Sequence, residues 1–165
     1  MTRVAVREAR IEDAEPVFHA WQALRAYYAS VDRRIIPAPI AREEFVAAYA
    51  ERLASPGAAS FVAVEGTRLV GFISATVAQN QPDRLPEQHV AVGQLYVAES
   101  HRRQGLGVEL FRAVAAWASA QEGVSHFEMP VLAADAEAMN FWRSIGFSPF
   151  IQRLWAPLSA PEADA

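Results

Sequence analysis

The chain has 165 residues and a formal net charge of −4; 52% of its residues are apolar and 21% are charged. This length and composition fit a folded domain and exclude an intrinsically disordered chain. The acidic balance argues against nucleic-acid binding, and the absence of cysteine excludes disulfides, thiolate metal sites and cysteine nucleophiles.

No apolar run approaches the roughly 20 residues that cross a bilayer. The first ten residues alternate charged and apolar side chains and lack the apolar segment of a signal peptide. We therefore expect a cytoplasmic protein that binds neither nucleic acid nor membrane. No repeat or linker divides the chain, which predicts a single domain over residues 1–157 and a flexible tail over 158–165.

Hydrophobic periodicity and turn residues predict the elements in chain order. Asp13 is expected to cap the first helix, and Gly66 begins a predicted hairpin turn. The resulting order, β-α-α-β-β-β-α-β-α-β, indicates an α/β fold. The predicted strands are 2–7, 61–65, 69–78, 89–97, 126–132 and 147–155, and the predicted helices are 13–28, 42–54, 105–121 and 136–144.

The turn after the strand at 89–97 carries the strongest chemical signal. It reads Arg102-Arg103-Gln104-Gly105-Leu106-Gly107 and leads directly into a helix. The first amides of a helix lack internal acceptors and carry partial positive charge, and glycines allow a ligand to approach the backbone. The turn therefore predicts a pyrophosphate site. A Walker-type loop is excluded because the chain has no Lys, and a dinucleotide fingerprint because Leu110 occupies its third glycine position.

Two motifs carry a resemblance to the GNAT superfamily of N-acetyltransferases. That family's central motif is Arg or Gln, two residues, Gly, one residue, and Gly or Ala, which residues 102–107 match after Leu95-Tyr96-Val97. A second motif matches downstream, from Ala138 through the aromatic pair at 141–142 to Gly146-Phe147. The order of predicted elements over residues 3–155 also follows the family.

The resemblance implies a mixed, mostly antiparallel sheet of six or seven strands with helices on both faces, splayed between the strands at 89–97 and 126–132. Acetyl-CoA would lie in that split as co-substrate, its pyrophosphate bound by the amides of residues 102–107. Its pantetheine arm would pair with the backbone of Leu95, Tyr96 and Val97, and the Val97 amide would stabilise the oxyanion of the thioester carbonyl. The other implied cofactor-binding residues are Asp135, Phe141 and Trp142.

Two departures concern the cofactor side of the second motif. Asp135 stands where family members often have Asn, and it also fits the N-cap of the helix that begins at 136. Trp142 replaces a Tyr that often protonates the leaving thiolate, and an indole gives up no proton at ordinary pH. A thiol leaves tolerably as the thiolate because its pKa is about 8.5. The alternatives for an acid are Tyr96, Ser144 and water.

The third departure concerns the general base. Ala91 stands about where the family often has a Glu, which leaves His89 and Glu87 at the entrance of the same strand. We take His89 as the candidate base. The other histidines show no metal-ligand spacing among themselves, so no metal is predicted.

The acceptor side is expected from the first two helices, the loop at 28–40 and the loop at 79–88. The primary hypothesis is acetyl transfer from acetyl-CoA to a primary amine by direct attack in a ternary complex. The alternatives are an acyl-CoA-binding sensor or subunit without catalysis, and transfer of a longer acyl group. A homodimer is compatible with the pattern. The candidate acceptor residues are Arg33, Arg34, Tyr27, Tyr28, Tyr49, Glu43, Glu44 and Glu51.

Overall fold

The computed structural model describes residues 3–158, and the chain divides into two compact units at Ala134 and Asp135. The second unit contains a single helix, α4 (Ala136–Ser144). The first unit contains β1 (Val4–Glu8), a 3-10 turn (Ile11–Asp13), α1 (Ala14–Val31), α2 (Arg42–Ala54), β2 (Ala58–Glu65), β3 (Arg68–Gln79), β4 (Gln88–Val97), a second 3-10 turn (Glu99–His101), α3 (Leu106–Ala118) and β5 (Val124–Glu128).

The five strands form one sheet in the order β1-β2-β3-β4-β5. The first three pairings are antiparallel, and β4 pairs with β5 in parallel. Successive side chains point to opposite faces of a strand, so the sheet has a core on each face. Helices α1 and α2 pack on the face of Val62 and Phe72, whereas α3 packs against the strands with buried Leu110 and Val114. The expected α/β class with helices on both faces is confirmed.

The parallel pairing of β4 with β5 is short. It begins at Gln88 and Val124, and the last paired residues are Ala91 and Glu128. Beyond Ala91, β4 continues for six residues, paired only with β3. The sheet therefore opens between these two strands, as the resemblance to the GNAT superfamily implied.

A bulge interrupts β4 where the sheet opens. Ser74 lies opposite Gln94 and Ala75 lies opposite Val92, so Gly93 has no partner on β3. A Cβ atom at Gly93 would lie 2.8 Å from Ser74 Oγ, closer than side chains tolerate. A side chain at this position would therefore force the Ser74 hydroxyl to move, and the extra residue bends β4 locally.

The predicted strand count was too high. Within residues 3–158 the sheet has five strands, and the segment expected as a last strand, 147–155, has no strand pairing. Its apolar residues come in adjacent pairs rather than alternating, and Pro149 has no amide proton to donate. Phe150 and Leu154 are 72% and 90% exposed. Strand β5 also ends earlier than predicted, before Pro130.

Asp13 occupies the predicted N-cap position of α1, but its side chain does not cap the helix. Asp13 makes no side-chain hydrogen bond to the first turn of α1. Its buried carboxylate instead accepts two hydrogen bonds from the Arg7 guanidinium, at 2.7 and 2.8 Å, and one from the Arg10 amide at 2.7 Å. The ion pair to β1 outcompetes capping because it satisfies a carboxylate that would otherwise be buried without a counter-charge.

In the second unit, Asp135 caps α4 by accepting a hydrogen bond from the Ala138 amide at 2.9 Å. The one-domain prediction over 1–157 stays a prediction, and residues 159–165 of the predicted tail lie outside the described residues. Within the described chain, none of the helices combines the length and apolar character needed to cross a bilayer.

Candidate active site

The open edge of β4 presents backbone groups outward. The Ala98 amide donates to the Val70 carbonyl at 2.8 Å, which places Ala98 at a hydrogen-bonded position opposite β3. Hydrogen-bonded and non-bonded positions alternate along an antiparallel pair, so the amides and carbonyls of Val97 and Leu95 point away from β3. Because β5 pairs only as far as Ala91, the Val97 amide and the Leu95 amide and carbonyl can pair with an extended ligand, whereas the Val97 carbonyl already accepts from Arg102 Nε.

The turn after β4 exposes a run of backbone amides. Arg103 and Gly105 both adopt left-handed backbone conformations, with φ of 62° and 82°, and Gly105 is the N-cap of α3. The amides of residues 103–107 donate to no backbone acceptor within residues 3–158. Consecutive amides in such a turn, at the positive end of a helix dipole, form an anion-binding concavity.

Side chains of the turn fix its shape and charge. The Arg102 Nε donates to the Val97 carbonyl at 3.1 Å, which ties the turn to the end of β4. The Gln104 amide nitrogen donates to the Ser100 carbonyl at 3.0 Å. Arg102 and Arg103 are both exposed and add two positive charges to the turn. The turn is therefore chemically suited to a phosphate or pyrophosphate.

A cavity of about 110 Å³ lies between helices α1 and α2 and the sheet. Aromatic side chains form much of its wall: Phe45 stacks on Tyr49 at 5.8 Å between ring centroids and packs on Trp21 at 4.9 Å. Phe72 closes it from the sheet side. Its polar lining residues are Arg52, Ser60, Ser74 and Gln94.

The polar groups of this cavity differ in how they are satisfied. Ser74 and Gln94 bond to each other, whereas the buried Ser60 hydroxyl has no hydrogen-bond partner within residues 3–158. Burial, reinforced by the Asp13 charge, raises the pKa of Tyr49 to about 12, so its hydroxyl stays protonated at neutral pH. The nearby Ser60 side chain lowers the pKa of Tyr49 and so opposes part of this increase, although its hydroxyl lies outside hydrogen-bond geometry.

Arg52 enters the cavity from the buried face of α2. Its Nη1 donates to the Ala75 carbonyl at 3.2 Å and to Thr76 Oγ1 at 2.9 Å. Burial lowers the pKa of Arg52, yet a guanidinium remains charged at any ordinary pH. Sequence analysis missed this residue, although its spacing from Phe45 and Tyr49 places it on the apolar stripe of the helix.

The two predicted catalytic side chains lie in different places. Tyr96 packs on the α1–α2 face of the sheet, where its ring stacks on Phe72 at 6.0 Å. His89 lies six residues before Leu95 on β4, about 20 Å away at the usual rise of a strand. It would therefore reach an amine near Leu95 only through a relay of other groups. The base assignment of His89 remains a hypothesis.

His89 belongs to a cluster that sequence spacing did not reveal. The ring of His126 stacks on it at 5.6 Å, and Glu128 Oε1 lies 3.1 Å from His126 Nε2. One ligand atom from each of the three residues lies within 4.8 Å of the others. A metal-bound imidazole usually donates its second nitrogen to an acceptor, but the buried His89 Nδ1 has no hydrogen-bond partner in the described part of the chain. The expectation of no metal remains a prediction.

In the second unit, the implied cofactor residues stand on or beside α4. Asp135 acts as its N-cap, the alternative role considered from the sequence. The Phe141 and Trp142 rings meet edge-on at 5.1 Å, and Trp142 packs in the same manner on Phe147 at 4.9 Å. Contact of these three residues with a cofactor stays an expectation from the resemblance.

Only part of the expected acceptor side lines the cavity. Tyr49 does, while Tyr27 and Tyr28 pack against the core cluster on that face. Arg34 pairs with Asp32 at 2.5 Å. A larger depression of about 540 Å³ lies across Ile11–Asp13, α1 and α2. Three acidic residues line it, of which Glu15 and Glu43 pair with Arg42.

The sequence matches the model of the Acetyltransferase (GNAT) family over residues 12–147. This match covers most of the chain, and the protein belongs to the GNAT acetyltransferase family. No curated protein sequence is significantly similar to it.

Solved structures with the same fold include acetyltransferases. A point mutant of the BH1408 protein from Bacillus halodurans has a TM-score of 0.80 at 21% identity, covering 93% of this chain and 99% of that one. The aminoglycoside N-acetyltransferase AAC(6')-Iy in complex with CoA has a TM-score of 0.73 at 16% identity, covering 97% of each chain. An apo AAC(6')-IG from Acinetobacter haemolyticus has a TM-score of 0.72 at 14% identity, covering 95% and 99%.

Proposed function

We propose that this protein transfers the acetyl group of acetyl-CoA to a primary amine by direct attack in a ternary complex. The observation that carries the proposal is the continuity of two features. The outward backbone of Leu95 and Val97 leads into the turn whose amides, from Arg103 to Gly107, lack backbone acceptors among residues 3–158. An extended pantetheine arm fits the first feature and a pyrophosphate fits the second. AAC(6')-Iy, similar in fold, binds CoA in its crystal structure, which supports the same co-substrate here.

The edge of β4 supports the attack on the thioester. The neutral amine attacks the thioester carbonyl, and the outward Val97 amide donates to the oxygen as negative charge develops there. The tetrahedral species collapses by breaking the C–S bond, which releases the amide product and the CoA thiolate. The amine proton passes to solvent or to a base, for which His89 is our candidate. Holding both substrates at the β4 edge supplies the remaining rate enhancement.

The second candidate function is an acyl-CoA-binding sensor or subunit. Ala91 and Trp142 favour it, because neither can supply the proton transfer expected at its position. A third candidate, transfer of a longer acyl group, uses the same binding features.

Single-turnover release of CoA from acetyl-CoA, followed with a thiol reagent and a panel of primary amines, tests the proposal. The chain has no cysteine, so the reagent reports CoA alone. We expect amine-dependent release together with a product that carries one acetyl group in place of an amine hydrogen, identified by its mass. Binding of acetyl-CoA without amine-dependent release would favour the sensor.

A further inference from the structure

We propose that the acceptor is a small aromatic or apolar amine with a carboxylate at the end opposite its amino group, and that Arg52 binds this carboxylate. This inference rests on the proposed function and assigns the cavity beneath α1 and α2 to the acceptor.

The first argument is an uncompensated charge. Arg52 lines the cavity and is partly buried, yet its recorded partners are a backbone carbonyl and a hydroxyl. No carboxylate pairs with it among residues 3–158, and no acidic residue lines the cavity. Since a partly desolvated guanidinium is best satisfied by a carboxylate held by two parallel hydrogen bonds, the missing partner is an anionic ligand group.

The second argument is an unpartnered polar atom in the same wall. Ser60 is 5% exposed and its Oγ makes no hydrogen bond. Buried hydroxyls almost always find a partner. The Tyr49 hydroxyl lies near this one but outside hydrogen-bond geometry, so Ser60 Oγ can bond a polar group of a ligand in the cavity. It adds a neutral donor beside the charged one.

The size and lining of the cavity define the rest of the ligand. About 110 Å³ is close to the space that holds a single aromatic ring, and well below the cavities of drug-sized ligands. Trp21, Phe45, Tyr49 and Phe72 provide an apolar wall around that space. The body of the ligand is therefore one ring or an equivalent short apolar chain.

The separation of amine and carboxylate follows from the sheet register. Arg52 contacts β3 at Thr76, whereas the β3 residue opposite Leu95 is Ile73. Three residues along a strand span about 10 Å. An amine at the Leu95 edge and a carboxylate at Arg52 thus belong at opposite ends of the ligand, with Gln94 between them.

This chemistry disfavours a polycationic acceptor. A polycationic amine would bring two or more ammonium groups next to the Arg52 guanidinium. Among residues 3–158 no carboxylate lines the cavity to offset the repulsion between these like charges. The acidic depression on the outer side of α1 and α2 contains no residue of β4, so an amine bound there lies away from the open edge. An aminoglycoside, the substrate named for AAC(6')-Iy, fits the cavity neither in size nor in charge.

The experiment compares 4-(aminomethyl)benzoate, benzylamine and kanamycin on the wild type, Arg52→Met and the charge-retaining control Arg52→Lys. Equilibrium binding to the protein saturated with CoA is measured first by calorimetry, because it does not require turnover. We expect 4-(aminomethyl)benzoate to bind the wild type about tenfold more tightly than benzylamine. Arg52→Met should abolish this preference and Arg52→Lys should retain part of it, with acetyl-CoA affinity the same in all three proteins.

The same panel is then assayed for CoA release. We expect kcat/KM to follow the same order, with kanamycin the poorest substrate. A preference for the carboxylate that persists in folded Arg52→Met, or faster turnover of kanamycin, would overturn the inference. So would an Arg52-dependent preference for succinyl-CoA over acetyl-CoA, since the cavity would then hold the acyl group. Arg52-dependent binding without turnover would support the carboxylate site and reject the proposed catalysis.

Discussion

Ser74 and Gln94 are joined by two hydrogen bonds across the β4 bulge. The backbone N–H of Gln94 donates to Ser74 Oγ at 3.2 Å, and the Ser74 hydroxyl donates to the side-chain oxygen Oε1 of Gln94 at 3.0 Å. The pair replaces the regular ladder at the point where Gly93 is inserted, and it holds the Gln94 side chain in the cavity.

Gly93→Ala should disrupt this pair. The new Cβ would lie 2.8 Å from Ser74 Oγ, so the hydroxyl must rotate away and lose its bonds to Gln94. We expect the free energy of unfolding to fall by about 1–3 kcal/mol, measured by urea denaturation. Gly57→Ala is the control, because its nearest neighbour would be 4.0 Å away.

A double-mutant cycle separates the clash from other effects of Gly93→Ala. Ser74→Ala removes the clashing oxygen, so Gly93→Ala should cost less in that background than in the wild type. Equal costs in both backgrounds would show that Ser74 does not determine the need for glycine.

Asp13→Asn should destabilise the protein in a pH-dependent manner. Burial alone would raise the pKa of Asp13, but the hydrogen bonds from Arg7 and the Arg10 amide outweigh it and hold the pKa below its usual range. The stabilisation is complete above the unfolded pKa of about 4 and is lost as pH falls through the folded pKa.

At pH 7 we expect Asp13→Asn to lower the free energy of unfolding by about 1–3 kcal/mol, and the difference from wild type to shrink below pH 4. Asp83→Asn, in an exposed loop, is the matched loss of one carboxylate and should show no such trend. A difference that stayed constant from pH 7 to pH 2 would reject the ion pair as its source.

Substitutions of Asp135 distinguish a cap from a cofactor contact. Asp135→Ser retains an N-cap oxygen and should leave stability nearly unchanged, whereas Asp135→Ala should cost about 1 kcal/mol. If capping is its sole role, acetyl-CoA binds Asp135→Ser with wild-type affinity in a calorimetric titration. Weaker binding by a stable Asp135→Ser would assign the carboxylate to the cofactor as well.

Local sequence patterns predicted most elements of the fold. Helices α2 and α4 match their predicted bounds, because turn residues or a cap mark their ends. The segment 147–155 is rich in residues that favour strands, which led to the prediction of a strand. Its apolar residues do not alternate with polar ones, and the structure shows no strand there. The capping role expected for Asp13 is not observed because its side chain binds Arg7 on β1. Residue spacing along the chain does not reveal this contact between a strand and the start of a helix.

The candidate site was predictable only where it is continuous in sequence. The turn at residues 102–107 and the strand before it form one segment, and glycine spacing revealed them. The cavity draws Trp21, Arg52, Ser60 and Gln94 from different elements, so no local motif contains it. The cluster of His89 with His126 likewise depends on parallel strand pairing between distant segments.

The measurement that tests the central claim most directly is calorimetric titration of acetyl-CoA into the wild type, Gly105→Asp and Gly105→Ala. Both substitutions add a Cβ atom at a residue with φ of 82°, so they share the same backbone strain. No other side chain or backbone of the described residues lies within 4 Å of that Cβ, so the two variants differ in the carboxylate alone. We predict micromolar binding by the wild type, weaker binding by Gly105→Ala and none by Gly105→Asp, with folding verified by circular dichroism. Equal affinity of wild type and Gly105→Asp would contradict a pyrophosphate at this turn, and a folded wild type that does not bind acetyl-CoA would contradict the acetyltransferase function.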